Sequence, residues 1–513
     1  MKTAEFEKLQ LSNTVLANDY VLEHTKYDYL FFKIPAEDYG MTETVALTMD
    51  VVSETAVIAL NEYLNHRTMR ISGRDVVVRF DIAECESGEN TLAFKGQIHV
   101  KRIDFITGGN GGEASETAEV PHLPPSADPV HAAARFLLNA QIQGPGKSPF
   151  HGSCYAIYDY TNGCHRMPCW LWSDAPIVSA MLKLVQENVY PDMNASFERL
   201  ALDIGKAFLR NQITDPSDEV YGAFVSRHRY YGKTARSFDR LLGPNDTSFT
   251  VKWAMLPLYE HTRDETYLHA SKIALDWVEH IIDTQPFVPS HYYFEEKAWE
   301  NKAFVDTGFN VEGFAAYDSL TGGSSYDAVI RFCMDRFIGQ FRLDNGYYGQ
   351  NYTPGSGVDD RLFTRGHAWV LEGLAACCSA NGDDKYVAEA LALSEKMIEN
   401  QNADGSWNYL LGYYAPDPAV KAGSGICEKT IPIFAYLFLE LYAMTGRKQL
   451  LDSADRALAW CEASMSDEAG SGYGGIAGAS LASGITGLPF LKVATGYANA
   501  FYLLAKLKRR GIR

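Results

Sequence analysis

Two periodicities divide this 513-residue chain. Up to about residue 107, β-branched and aromatic residues gather in short runs at 29–35, 44–52, 55–59, 75–82, 91–94 and 97–106. Gly73, Gly88, Asn90 and Gly96 punctuate them, as turns punctuate strands. Strands this short and closely spaced predict a β-sandwich, with 88–94 and 98–106 reading as a hairpin. From about His131 the apolar positions recur every 3.6 residues instead. Twelve segments carry that pattern: 131–142, 177–185, 195–211, 250–261, 267–282, 308–320, 326–341, 368–380, 386–400, 431–445, 450–462 and 495–509.

Many of these helices come in pairs around a short polar turn, such as Asn381-Gly382-Asp383-Asp384 or Thr445-Gly446-Arg447-Lys448. Asp246, Asp306, Arg365 and Glu428 each stand near the first helix of a pair and recur about every sixty residues. A helix pair repeated at that interval buries its apolar face against its neighbours. Six pairs close into an (α/α)6 barrel; an open solenoid is the competing arrangement. Closure is preferred because there are twelve helices and because chemistry-bearing residues cluster at one kind of position. The chain is therefore expected to be mainly α. A β-sandwich accessory domain would span 1–107, a Gly/Pro-rich linker 108–129 and the catalytic barrel 130–513.

A net charge of −18 argues against nucleic acid or an anionic membrane as partner. It leaves room for a small acidic ligand held by a local basic cluster. No apolar run is long enough to span a membrane, and the first residues lack the apolar core of a signal peptide, so a cytoplasmic location is expected. The nine cysteines show no zinc-knuckle spacing and read as free thiols. No zinc site is expected. Homo-oligomers are compatible with the sequence.

Polar residues at helix starts are the candidate chemistry. A helix N-terminus offers free N–H groups and a positive dipole end, so these positions suit an acidic ligand. Asp306 and Asn310 lie one helical turn apart, so both can face the same side. Asp246 and Asp306 would lie on neighbouring inner helices. Glycosidic chemistry needs such a pair, one group donating a proton and the other acting as base or electrostatic partner. Either Asp alone also suits an N-cap. Asp174 and Glu428 are further candidate carboxylates. Arg365, His367, Lys429, Arg236 and Arg240 can supply positive charge, although Arg236 and Arg240 suit a solvated surface equally well. Trp172, Trp369, Tyr348 and Trp407 are candidate stacking platforms for a sugar ring.

Five stretches carry a family resemblance. They are Val305-Asp306 with Asn310, the run from Thr364 to Trp369, the run from Gln401 to Trp407, Glu428-Lys429-Thr430, and Leu439-Glu440-Leu441. Together they are similar, in order and spacing, to the unsaturated glucuronyl hydrolases, glycoside hydrolase families 88 and 105. The resemblance covers about 246–509. It implies an (α/α)6 barrel that removes a terminal 4,5-unsaturated uronic acid without a cofactor. It further implies that Asp306 is the general acid and base, protonating the vinyl-ether bond and then activating water. Asp246 would assist, and Arg365 and Trp369 would line the sugar pocket. Two features depart from the family: the loop 344–360 has no histidine, and the N-terminal β-region is extra. That region's last strands resemble the close of jelly-roll domains attached to carbohydrate enzymes.

The expected function is an exo-acting hydrolase of terminal β-glucuronyl units, saturated or 4,5-unsaturated, with the saturated form slightly preferred. Its substrate would be a small acidic oligosaccharide or glucuronide. The catalytic set is Asp306, Asp246, Glu428 and Asp174. The sugar contacts are Arg365, His367, Trp369, Asn310, Trp172, Lys429, Tyr348 and Trp407. A sugar epimerase or polysaccharide lyase on the same barrel is the first alternative, and a non-catalytic carbohydrate-binding protein the second.

Overall fold

The computed structural model describes residues 2–3, 28–34, 42–52, 56–60, 69–81, 88–95, 98–107, 128–142, 152–160, 164–168, 171–226, 241–293, 297–305, 311–467, 470–480 and 491–512. Asp306, Asn310, Arg236, Arg240 and nearly all of the expected linker lie outside the described residues.

Before residue 108 the described strands form two four-stranded antiparallel sheets. One runs Lys2–Thr3, Ile98–Thr107, Thr42–Val51, Val76–Asp81; the other runs Asp28–Ile34, Gly88–Lys95, Ala56–Leu60, Met69–Ile71. Val45, Leu47 and Met49 alternate into a core shared with Ile58, Ile71 and Leu92 of the second sheet. The expected hairpin is absent. Gly88–Lys95 is flanked on both sides by Asp28–Ile34 and Ala56–Leu60, so it has no free edge for Ile98–Thr107, which pairs in the other sheet.

The rest is a double ring of helices. Outer helices are α1 (Pro129–Asn139), α3 (Asn194–Arg210), α5 (Glu265–Thr284), α7 (Asp327–Phe341), α9 (Asp384–Glu399) and α11 (Lys448–Ala463). Inner helices are α2 (Leu171–Gln186), α4, α6 (Val311–Thr321), α8 (Thr364–Asn381), α10 (Ile431–Thr445) and α12 (Gly496–Arg510). Helix α4 is one rod in three parts: Pro244–Thr250, a π-turn Val251–Met255, and Leu256–Thr262. Each inner helix packs on the next, and α12 packs back on α2, so the ring is closed. Helix α2 begins before the expected start at 177, because Pro176 sits inside the helix rather than ahead of it.

The polar turns explain why the pairs fold back. Arg263, Gly382 and Gly446 end inner helices in the left-handed conformation. Asp264 and Asp383 then cap the following outer helices by accepting from the Thr266 and Lys385 N–H groups. Short antiparallel connections of this kind make all six inner helices start at the same end. Among the described residues no helix is long and apolar enough to cross a membrane.

Candidate active site at the mouth of the ring

The connections into the inner helices are long, and neighbouring ones are joined by small sheets. Tyr155–Asp159, Cys164–Pro168, Leu491–Thr495 and Ala477–Ser480 link the approaches to α2 and α12. Val225–Ser226 and Leu241–Leu242 join Tyr292–Tyr293 and Ala298–Trp299, linking those to α4 and α6. Similar sheets tie α6 to α8 and α8 to α10. Among the described residues these sheets join four of the six neighbouring approaches at the end of the ring where the inner helices start.

Asp174, in the first turn of α2, is fully buried. It accepts from the Ser153 hydroxyl and from the Cys154 N–H at 3.3 Å, both in the preceding connection. Burial pushes its carboxyl up to about 7, against those two bonds. Asp246 is buried at the third position of α4, whose N-cap is Gly243. The π-turn that follows shifts the helix register one turn below it, a feature common at functional sites. Val305, the last described residue before Asp306, packs on the first turn of α8. A Cβ on Gly366 would lie 2.5 Å from Val305 Cγ1, so only glycine permits this approach.

The starts of α8 and α10 carry a mixed-charge group. Arg365 is the second residue of α8, and Glu428-Lys429 immediately precede α10. Their charges converge on two buried neighbours. Burial raises the Tyr497 phenol well above its usual range while Arg365 opposes the shift, and Cys427 is pushed up to about 11 by burial, with Lys429 and Arg365 opposing and Glu428 reinforcing. The Lys429 ammonium lies 5.4 Å from the Tyr409 ring centroid, and Trp172 meets Tyr497 edge-on at 4.8 Å. Burial also raises the Glu428 carboxyl, opposed by Lys429. Among the described residues neither Glu428 oxygen has a hydrogen-bond partner. Half-buried Trp369 meets Phe249 at 5.4 Å and Phe501 at 6.2 Å. Trp253 and Tyr436 complete an aromatic layer that fills the ring below the first turns.

No family model matches the chain. An unsaturated glucuronyl hydrolase of Formosa agariphila is 24% identical over 182 residues, which are 32% of this chain and 44% of that protein. The match therefore takes in less than half of that relative's length. Among solved structures, the unsaturated glucuronyl hydrolase of Bacillus sp. GL1 aligns with a TM-score of 0.57 at 14% identity, covering 75% of this chain and 97% of the other. One specific for heparin gives 0.56 at 13%, covering 75% and 96%. A family 76 glycoside hydrolase from a bovine Bacteroides thetaiotaomicron strain gives 0.51 at 11%, covering 96% and 98%. The chain resembles the unsaturated glucuronyl hydrolases. Their fold is the six-hairpin barrel.

Three expected sugar contacts of this glucuronyl-hydrolase-like barrel lie in its core instead. His367 Nδ1–H donates to the Phe363 carbonyl at 2.7 Å, and Nε2 accepts from the Tyr348 N–H at 3.1 Å. Both ring nitrogens are thus engaged by backbone. Tyr348 is buried and donates its hydroxyl to Glu389 at 2.8 Å. Trp407 is buried between Phe434 and Phe438. The residues missed by sequence reading include Tyr497 and Tyr409. Tyr497 lies 69 residues beyond Glu428, in the first turn of the sixth inner helix, so the signal that could have found it was its place at the start of the last apolar helix rather than the sixty-residue interval.

Burial holds the imidazoles of both His367 and His165 down to about 4. Each is neutral when folded but takes up a proton when unfolded below about pH 6.5, so its contribution to stability is lost as pH falls from 6.5 toward 4. We expect the stability gap between wild type and His367→Gln to shrink between pH 7 and pH 4.5 in urea unfolding. A constant gap would show that His367 carries no such linkage.

Proposed function

We propose that this chain is an exo-acting glycoside hydrolase that removes a terminal uronic acid from an oligosaccharide or glucuronide. The supporting observation is that buried carboxylates and a cationic and aromatic group all lie at the inner-helix starts. Arg365 and Lys429 supply the positive charge that a uronate carboxylate requires, with Arg able to grip it in two places. Trp172 offers an apolar edge for the sugar ring, and Trp369 lies in the layer beneath. Asp306 is assigned the proton transfer and Asp246 the assisting charge, as in the family that the sequence resembles. Hydration of an unsaturated uronate needs one such acid and base. Direct hydrolysis of a saturated glucuronide needs two carboxylates in separate roles, and Asp174 or Glu428 can serve as the second. Residues 1–107 are proposed as an accessory β-sandwich, on the strength of their own shared core.

A sugar epimerase on the same ring is the second reading, favoured by likeness to a sugar epimerase from a ruminal bacterium at a TM-score of 0.54. That chemistry relies on histidines free to move protons. The engagement of both His367 nitrogens speaks against it.

The test is a paired assay of purified protein. One substrate is a chromogenic saturated β-glucuronide; the other is a lyase-generated unsaturated uronyl disaccharide, followed by loss of its ultraviolet absorbance. We expect turnover of at least one. Silence on both, with epimerisation of a neutral disaccharide, would overturn the hydrolase reading.

A further inference from the structure

Three consecutive inner helices share a buried polar cluster where apolar packing would ordinarily suffice. Glu312 on α6 and Glu372 on α8 are both buried. Glu372 accepts from Lys252 Nζ at 3.0 Å and from Trp253 Nε1 at 2.7 Å, both in the π-turn of α4. The Ser248 hydroxyl, two residues after Asp246, accepts from the Gly313 N–H at 3.0 Å, next to Glu312, and opposes the rise of the Glu312 carboxyl. Helices α4 and α6 touch at backbone distance here, since a Cβ on Gly313 would lie 2.7 Å from the Ser248 carbonyl oxygen. Burying two carboxyls beside a part-buried ammonium carries a desolvation penalty that a hydrophobic replacement of similar volume avoids. Such a cluster therefore calls for a role other than stability.

We propose that Glu312 is a positioning residue: through Ser248 it locks the first turn of α4, and with it Asp246, against α6, while Glu372 extends the lock to α8. The proposal rests on the reading that Asp246 acts in catalysis. It adds a residue that touches no substrate and sets the spacing between the helices of Asp246 and Arg365. Titratable groups face Glu312 from both neighbours: Lys252 from α4, and Glu372 and Cys377 from α8. Burial and the Glu372 charge push the Glu312 carboxyl up to about 8, so it keeps its proton at neutral pH. A glutamine is then a close mimic at pH 7. At higher pH the wild-type group ionises beside Glu372 and loosens the lock.

The test compares Glu312→Gln, Glu312→Leu and Ser248→Ala on whichever uronide the wild type cleaves. Glu312→Gln should keep kcat within about threefold at pH 7 and lack the activity decline above pH 8 that the lock predicts for wild type. Glu312→Leu should lower kcat up to about a hundredfold with KM little changed, the cost of misplacing a catalytic group by roughly 1 Å. Ser248→Ala breaks the same tie from the other side and gives the same loss, which covers the case of an insoluble leucine variant. A leucine or alanine variant with wild-type kcat overturns the proposal, as does a glutamine variant as slow as the leucine one. If the wild type cleaves neither uronide, the catalytic reading fails separately. Crystal structures then decide the lock: Asp246 displaced from α6 by about 0.5 Å or more in Ser248→Ala supports it, and Asp246 in place overturns it.

Discussion

Asp246→Asn leaves the chain folded and lowers kcat roughly a hundred- to ten-thousand-fold, the span ascribed to a positioned acid or base. The substitution preserves size, and the N-cap position of α4 belongs to Gly243, so the helix keeps its start. What the amide lacks is the negative charge and the ability to take a proton. Asp306→Asn should act at least as strongly, since Asp306 is assigned the proton transfer itself. The measurement pairs kcat on the cleaved uronide with the thermal unfolding midpoint. Full activity in Asp246→Asn would remove it from the catalytic set. A midpoint lowered by many degrees, with activity per folded molecule retained, would assign it to helix structure instead.

Trp407→Ala has the largest expected effect on stability, a loss of about 3–5 kcal/mol. The indole is fully buried, 4.9 Å from the Phe434 ring centroid and 6.2 Å from that of Phe438. Its Nε1–H donates to the Met397 carbonyl at 2.7 Å, near the end of α9 where carbonyls lack helical partners. Alanine leaves a cavity and orphans that carbonyl. Urea unfolding should show the loss, while KM at low temperature stays near wild type. A raised KM with unchanged stability would restore Trp407 as a sugar platform.

The motif from Thr364 to Trp369 shows how far the sequence could be read. On a helix, Arg365 and Trp369 are one turn apart and share a face, whereas His367 points nearly opposite. The structure follows that geometry: Arg365 joins the charged group, Trp369 joins the aromatic layer, and His367 turns into backbone hydrogen bonds. The period was visible, but placing Arg365, His367 and Trp369 together among the sugar contacts ignored it. Tyr348 and Trp407 were harder. Both come from irregular connections with no period to assign a face, and aromatic rings with polar edges suit a core and a sugar pocket equally well. The Glu312–Glu372–Lys252 cluster was invisible for a related reason. Its members lie six to seven residues beyond Asp246, Asp306 and Arg365, where the apolar pattern is dominant and a lone charge reads as exposed.

By itself the sequence determined the twelve helices of the ring, their pairing and the interval that places Asp246, Arg365 and Glu428 near inner-helix starts. Those features are local: a 3.6-residue period, a left-handed residue to end a helix and an aspartate to cap the next. The inner helices hid the rest, because they are buried on nearly every side. Helix α10 carries Ile431, Ile433, Phe434, Leu437, Phe438 and Leu441 all around its axis, so no stripe marks the face toward the pocket. Closure of the ring decided which side of each inner helix looks inward. It thereby gathered Trp172, Arg365, Glu428, Lys429 and Tyr497 and withdrew His367, Tyr348 and Trp407. Such convergence joins residues hundreds of positions apart, and only the packed tertiary structure sets those distances.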